Sequence, residues 1–73
     1  MERLMISQEY KFQKGGSVFY ISEGHGLKIK LSTGEICEGT LVEVGGLSQC
    51  FDIDTDNGVI TIDCENVIDI MPI

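Results

Sequence analysis

Acidic side chains at alternate positions are the feature of this sequence that comes nearest to a metal site. Asp52, Asp54 and Asp56 precede Asn57, which is how the ligands of an EF-hand calcium loop begin. The glycine that such a loop needs comes one position late, at Gly58, and no flanking helices are predicted. Aspartates at alternate positions are also typical of the solvent-facing side of a strand. We therefore expect no metal ion here and no cofactor elsewhere.

The residue types that most often act as nucleophiles or bases are isolated in this chain. The single histidine, His25, lies between two glycines, and the sequence identifies no nucleophile or carboxylate as its partner. Three cysteines, Cys37, Cys50 and Cys64, are odd in number and lack C-x-x-C spacing, which argues against a disulfide framework or a zinc site. We expect them to be small apolar residues of a packed core in a reducing compartment. No enzymatic activity is predicted.

Charge is distributed unevenly along the 73 residues, whose net charge is −7. Residues 31–73 contain nine acids and no lysine or arginine, so all the cations lie in the first thirty positions. Because phosphate binding needs cations, Lys11, Lys14, Lys28 and Lys30 are the candidate nucleic-acid-binding residues. There is no apolar run of about 18 residues and no signal peptide, so we expect a cytoplasmic protein that does not bind membranes.

Residues 26–44 contain the clearest pattern of secondary structure. Apolar residues alternate with polar ones from Leu27 to Leu31, which predicts a strand with one buried face. Gly34 suits a tight turn, since glycine takes positive φ without steric cost. In the next strand the apolar phase changes after Leu41, and Gly39 lies just before this change. A glycine beside a phase change predicts a bulge or a bend.

The rest of the chain is predicted to form further short strands. We expect a hairpin from about Tyr10 to Ile21, with residues 1–7 loosely held or helical, and a strand over Cys50–Thr55. Asn57-Gly58 favours a type I′ turn, whose register places Phe51 opposite Cys64 and Asp52 opposite Asp63. Val67–Met71 is the last strand, ended by Pro72.

These elements predict an all-β protein. The expected architecture is a small closed or partly closed barrel, which removes exposed edges, of about five strands plus an N-terminal hairpin or helix. We assign one domain to residues 1–73, with residues 1–25 as an N-terminal extension and residues 26–73 as the barrel core.

Two segments resemble the motifs of a known family. Leu31–Leu41 (LSTGEICEGTL) is similar to the first motif of the Sm and Sm-like proteins, and Ile60–Ile70 is similar to the second. The resemblance covers roughly residues 26–71. It implies a five-stranded, strongly bent SH3-like or Sm-like barrel that joins copies through its last two strands into rings, often of about six or seven subunits. It also implies binding of oligo-U or A-rich RNA.

The sequence departs from the family where the RNA pocket belongs. The loop Gly45–Gln49 has no aromatic residue to stack on a base, although Gln49 can replace the family's asparagine. The Arg-Gly corner of the second motif is Asp63-Cys64 here, so an acid replaces a cation. The candidate ligand-binding residues at this loop and corner are Leu47, Gln49, Asp63 and Asn66.

The expected function follows from this departure. We predict a non-enzymatic Sm-like module that forms a homo-oligomeric ring through Val59–Asp63 and Val67–Met71 and acts as a scaffold or protein-binding partner. The alternative is an Sm-like protein that binds RNA through its basic N-terminal third.

Overall fold

Seven strands make up most of the regular structure in the described part of the chain. The computed structural model describes residues 2–6 and 8–73. The strands are β1 (Glu9–Lys14), β2 (Ser17–Ser22), β3 (Gly26–Leu31), β4 (Ile36–Val44), β5 (Cys50–Thr55), β6 (Gly58–Asp63) and β7 (Val67–Pro72). Single turns of 3₁₀-helix, Gly46–Ser48 and Cys64–Asn66, follow β4 and β6. The prediction of an all-β protein is confirmed.

The strands form two antiparallel units. β3 to β7 make a five-stranded sheet in the order β6-β5-β4-β3-β7, while β1 and β2 form a separate hairpin. The hairpin was predicted correctly, with its turn at Gly15-Gly16. Residues 2–6 adopt neither helix nor strand, whereas Met1 and Ser7, which belong to the segment predicted as loosely held or helical, lie outside the described residues.

β3 and the turn after it have the predicted geometry. Leu27 and Ile29 are completely buried, and the lysines between them and beyond them are exposed. Gly34 takes a φ of 91°, and its N–H donates to the carbonyl of Leu31 at 2.8 Å. The positive φ explains why a glycine stands at this position.

β4 contains the bulge that its sequence predicts. Leu41 pairs with Ile53 on β5, but Glu43 pairs with Asp52, so the intervening Val42 has no partner on that strand. In a regular strand Leu41 and Val44 would face opposite sides, because they are three residues apart. The extra residue brings both onto the face that packs against the core.

Gly39 lies where β4 and β5 approach each other most closely. A Cβ atom at this position would lie 2.5 Å from the carbonyl oxygen of Asp54. Real Cβ atoms do not come so near to a backbone atom. Glycine is therefore required here by the packing of two backbones, while its φ is an ordinary negative one.

The predicted register of the β5–β6 hairpin is wrong by two residues. Thr55 pairs with Gly58, so that Phe51 faces Ile62 and Asp52 faces Thr61. Side-chain chemistry explains the shift. The Thr55 hydroxyl donates to the Gly58 carbonyl at 2.8 Å and accepts from the Asn57 N–H at 3.1 Å. Gly58 has a φ of 109°, but Asn57 does not take the positive φ that a type I′ turn needs.

A single apolar cluster lies between the hairpin and one face of the main sheet. Phe12 of β1 meets Phe51 of β5 edge to face, with ring centroids 5.6 Å apart, and stacks on Phe19 at 5.3 Å. These contacts hold the hairpin over the sheet. The buried residues are Ile21, Leu27, Ile29, Leu41, Phe51, Ile53, Ile62 and Val67.

The cysteines do not belong to this buried set, so the expectation that all three lie in the core is wrong. Cys37 and Cys50 are half-buried and Cys64 is exposed. Cys50 is the first residue of β5, at the end of the sheet, and Cys64 begins the turn that follows β6.

The close approach at Gly39 predicts a large effect of a small substitution. We expect Gly39→Ala to lower the free energy of unfolding by about 2–3 kcal/mol, because the new methyl group must push β4 away from the Asp54 carbonyl. Gly16→Ala is the control, since no atom lies within 4 Å of the position that its methyl group would take and its φ is not positive. It should change stability by less than about 0.5 kcal/mol. Urea unfolding measures both, and equal effects would contradict the assignment.

Candidate functional site

A cavity of about 360 Å³ lies at one end of the main sheet. Cys50 pairs with Asp63, so the start of β5 and the end of β6 lie side by side. This pairing brings the two 3₁₀ turns close to each other. The lining residues are Ser48, Gln49, Asp63, Cys64 and Glu65.

Backbone hydrogen bonds fix the shape of this cavity. The Cys64 N–H donates to the carbonyl of Gln49 at 2.9 Å, and the Gly45 N–H donates to that of Cys50 at 2.8 Å. Between these bonds Leu47 and Ser48 take φ values of 65° and 55°. Two consecutive residues other than glycine in this region are uncommon, and such backbone persists only where the surroundings fix it. The cavity wall is therefore preformed and strained.

Two of the four predicted ligand-binding residues come together here. Gln49 and Asp63 line the same cavity. Leu47 is exposed and does not belong to the lining, and Asn66 lies beyond it. The carbonyl of Asn66 accepts the N–H of Ser32 at 2.8 Å, which ties the second 3₁₀ turn to the end of β3. Asn66 thus has a structural contact of its own.

Ser48, Cys64 and Glu65 are the lining residues that sequence reasoning missed, and Cys64 is the one with a perturbed pKa. Its thiol lies 3.6 Å from the carbonyl oxygen of Ser48, to which it donates. Although the residue as a whole is exposed, desolvation of the thiol raises the pKa of Cys64, and the neighbouring Cys50 and Asp63 raise it further. A thiol with a raised pKa is protonated at neutral pH and is a weak nucleophile. The corner Asp63-Cys64, which departs from the Sm-like pattern, is the sequence signal that could have identified it.

The electrostatic character of the cavity follows from its lining. Asp63 and Glu65 contribute carboxylates, and no lysine or arginine is among the lining residues. A phosphate group would therefore meet like charge without a compensating cation. Gln49 and the backbone of Ser48 offer neutral hydrogen-bonding groups beside these carboxylates.

The four candidate nucleic-acid-binding lysines lie on two different sheets. Lys28 and Lys30 project from β3, where Lys28 pairs with Glu38 on β4 and Lys30 pairs with Asp69 on β7. An acid thus lies opposite each of these two lysines, which lowers the net positive charge of that surface. Lys11 and Lys14 lie on the hairpin, with Tyr20 opposite Lys11. The structure does not bring the four into one row on a common sheet.

Other residues that could do chemistry have structural partners. The Thr61 hydroxyl donates to the carboxylate of Asp52 at 2.6 Å, so the predicted opposition of Asp52 and Asp63 is wrong. His25 is exposed, and its Nδ1 lies 3.1 Å from the carbonyl oxygen of Ser22. Within residues 2–6 and 8–73, no three His, Cys, Asp or Glu side chains are placed so that they could hold a metal ion.

Comparison with models of known families gives no match, and comparison with curated proteins and with solved structures gives no significant one. Function is therefore inferred from the geometry of the chain itself. In the described part of the chain, no helix has the length and hydropathy needed to cross a lipid bilayer.

The surroundings of Cys64 predict how its reactivity depends on pH. Because the Asp63 carboxylate contributes to the raised pKa of Cys64, Asp63→Asn should lower the pH midpoint of its alkylation by iodoacetamide. Glu65→Gln is the matched control, since Glu65 lines the same cavity but does not contribute to the shift. Mass spectrometry of the Cys64 peptide after timed alkylation gives both midpoints. Equal midpoints in the two variants would show that Asp63 does not act on the thiol.

Proposed function

We propose that this chain is a non-enzymatic Sm-like module that assembles with copies of itself and serves as a scaffold or protein-binding partner. In this proposal the main sheet is the wall of a small, strongly bent barrel, and assembly uses β6 and β7. The observation that carries the proposal is the position of these two strands at opposite edges of the sheet.

Each edge offers groups for pairing with another chain. Among the described strands, β6 pairs only with β5, and β7 pairs only with β3. One row of backbone N–H and C=O groups on each is therefore free to bond to a further strand. Val59 on β6 and Ile68 on β7 are exposed apolar side chains at these edges. Two different edges that pair with each other produce a head-to-tail contact, and such contacts generate rings when the rotation closes.

Several features of the sheet support the barrel. It has the five strands that the Sm-like resemblance implies. The bulge at Val42 and the close approach at Gly39 both bend β4, the central strand. Strong bending of the central strand is what a five-stranded sheet needs in order to curl around a core.

The lining of the cavity favours a protein partner over RNA or an enzyme substrate. Its two carboxylates, Asp63 and Glu65, disfavour phosphate, and it has no aromatic side chain on which a base could stack. The raised pKa of Cys64 keeps its thiol protonated and poorly nucleophilic. Neutral amide and carbonyl groups next to carboxylates suit the polar rim of a protein contact.

Substitutions at the two edges test the assembly. We expect the wild-type chain to form an oligomer by light scattering, and we expect Val59→Lys and Ile68→Lys each to reduce its mass. A lysine on an edge strand opposes edge-to-edge pairing. Ile36→Lys is the control, because Ile36 is about as exposed but lies on β4, which forms neither edge of the sheet. It should leave the mass unchanged.

Mixing the two edge variants tests whether the contact is head-to-tail. The Val59→Lys chain retains an intact β7 edge, and the Ile68→Lys chain retains an intact β6 edge. An equimolar mixture should therefore have a higher average mass than either variant alone, because one intact contact re-forms. A wild-type chain that stays monomeric at both low and high concentration would rule out the assembly.

One observation favours the second candidate function, RNA binding. Lys11 and Tyr20 lie opposite each other on the exposed side of the hairpin, which places a cation next to an aromatic ring. Such a pair can hold single-stranded RNA by charge and stacking.

The RNA alternative predicts salt-sensitive binding through the hairpin. Titration with short oligo-U and A-rich RNA at two salt concentrations should then show affinity that falls with salt and is lost in Lys11→Glu. Lys28→Glu is the control, since Lys28 is already paired with Glu38. If neither RNA binds, the RNA alternative is rejected and the scaffold proposal remains.

A further inference from the structure

We infer that residues 2–6 of one copy dock as an added strand on the β1 edge of a second copy, and that the exchange is reciprocal, so that two copies form a two-fold symmetric dimer. This contact uses neither β6 nor β7. It therefore goes beyond the proposed ring and does not depend on it.

The first observation is an exposed apolar run. Leu4, Met5 and Ile6 are 85%, 81% and 89% exposed. Three consecutive large apolar residues in water form a patch that contact with another surface would stabilise.

The second observation is a free edge with a groove beside it. Among the described strands, β1 pairs only with β2, so its other edge has unpaired backbone groups. A cavity of about 490 Å³ follows this edge and includes Tyr10, Phe12, Val44 and Phe51 in its lining. An extended segment that pairs with β1 would direct every second side chain into this groove.

The third observation is that one stretch of sequence contains both the docking segment, residues 2–6, and the strand on which it docks, β1. In an antiparallel pairing with Leu4 opposite Phe12, Ile6 falls opposite Tyr10 and Glu2 falls opposite Lys14. Leu4 and Ile6 then share a face with the residues that line the groove. A slip of one residue would turn both side chains to the solvent side.

Charge and symmetry identify the occupant as a second copy. The register that buries the apolar residues also pairs an acid with a base, Glu2 with Lys14. Antiparallel pairing of identical segments makes every contact occur twice about a two-fold axis. Complementarity of both hydropathy and charge within one short segment is what an isologous interface needs.

The test uses the Val59→Lys/Ile68→Lys chain, in which assembly through β6 and β7 is blocked. Sedimentation velocity over a concentration series should show a monomer–dimer equilibrium. Adding Leu4→Glu and Ile6→Glu should raise the dissociation constant by at least about 100-fold, because four apolar side chains leave the interface of a symmetric dimer. Folding should be unaffected, since both residues are exposed in the single chain, and the melting temperature checks this.

Met5→Glu is the matched control. Met5 is as exposed as its neighbours, but the register places it on the solvent face opposite Lys11. Its dissociation constant should stay within about threefold of the parent's or become tighter. Glu2→Lys should weaken the dimer by about fivefold, and Glu2→Lys with Lys14→Glu should restore it.

The outcomes separate this inference from the proposed ring. A monomeric parent at all concentrations, or equal effects of Met5→Glu and the Leu4/Ile6 pair, would overturn the β1 contact. If the ring proposal fails and the β1 contact holds, the wild-type chain has twice the monomer mass and loses it on Leu4→Glu and Ile6→Glu. If only the β1 contact fails, the ring mass is unchanged by those substitutions.

Discussion

The extra residue in β4 is the constraint on which the rest of the structure depends. Because Val42 has no partner on β5, Leu41 and Val44 both reach the core side of the central strand. Without the bulge, one end of β4 would place its apolar residues in solvent. Gly39 completes the bend, since it allows the β5 backbone to approach where a side chain would block it.

The hairpin completes a core that the sheet alone could not close. A domain of 73 residues buries only about 60% of the surface of its unfolded chain, so each buried side chain contributes appreciably to a small total stability. Ile21 enters the buried cluster from β2, and Phe12 from β1 covers Phe51. Residues 9–22 therefore contribute to the core, and the interpretation of residues 1–25 as an extension understates their role. Because the hairpin lies over one face of the sheet, the free edge of β1 lies beside the groove.

Local sequence patterns predicted most of the strands but not how distant strands pair. Alternation from Leu27 to Leu31, the glycine turn at Gly34 and the phase change after Leu41 each act within a few residues, and each prediction was right. The β5–β6 register was wrong because the preference of Asn-Gly for one turn type was outweighed by the hydrogen bonds of Thr55. A slip of two residues preserves the parity of the strand, so the hydrophobic pattern could not detect it.

The candidate site was harder to predict for a related reason. Its cavity is formed by two 3₁₀ turns. Ser48 in the first turn and Cys64 in the second are sixteen residues apart, and the turns meet only because β5 and β6 pair. Gln49 and Asp63 were found through a family resemblance that points to this loop and this corner. Cys64 was placed in the core because isolated cysteines are often buried, but it begins the 3₁₀ turn after β6 and is exposed there. The end of β6 is set by its pairing with β5, which the neighbours of Cys64 in the sequence do not show.

The effect of salt distinguishes self-association of this chain from its binding of a polyanion. Residues 31–73 carry nine acids and no lysine or arginine, so copies of the chain repel each other at long range. Salt shortens that repulsion to about 8 Å at physiological ionic strength, while backbone pairing and apolar burial at strand edges are little affected. Self-association through β6 and β7 should therefore strengthen as salt is added. Binding of a polyanion by Lys11 must weaken under the same conditions, since it depends on the release of counterions. Salt thus has opposite effects on self-association and on polyanion binding. These effects follow from the separation of acidic and basic residues along the chain, and they do not depend on the number of subunits.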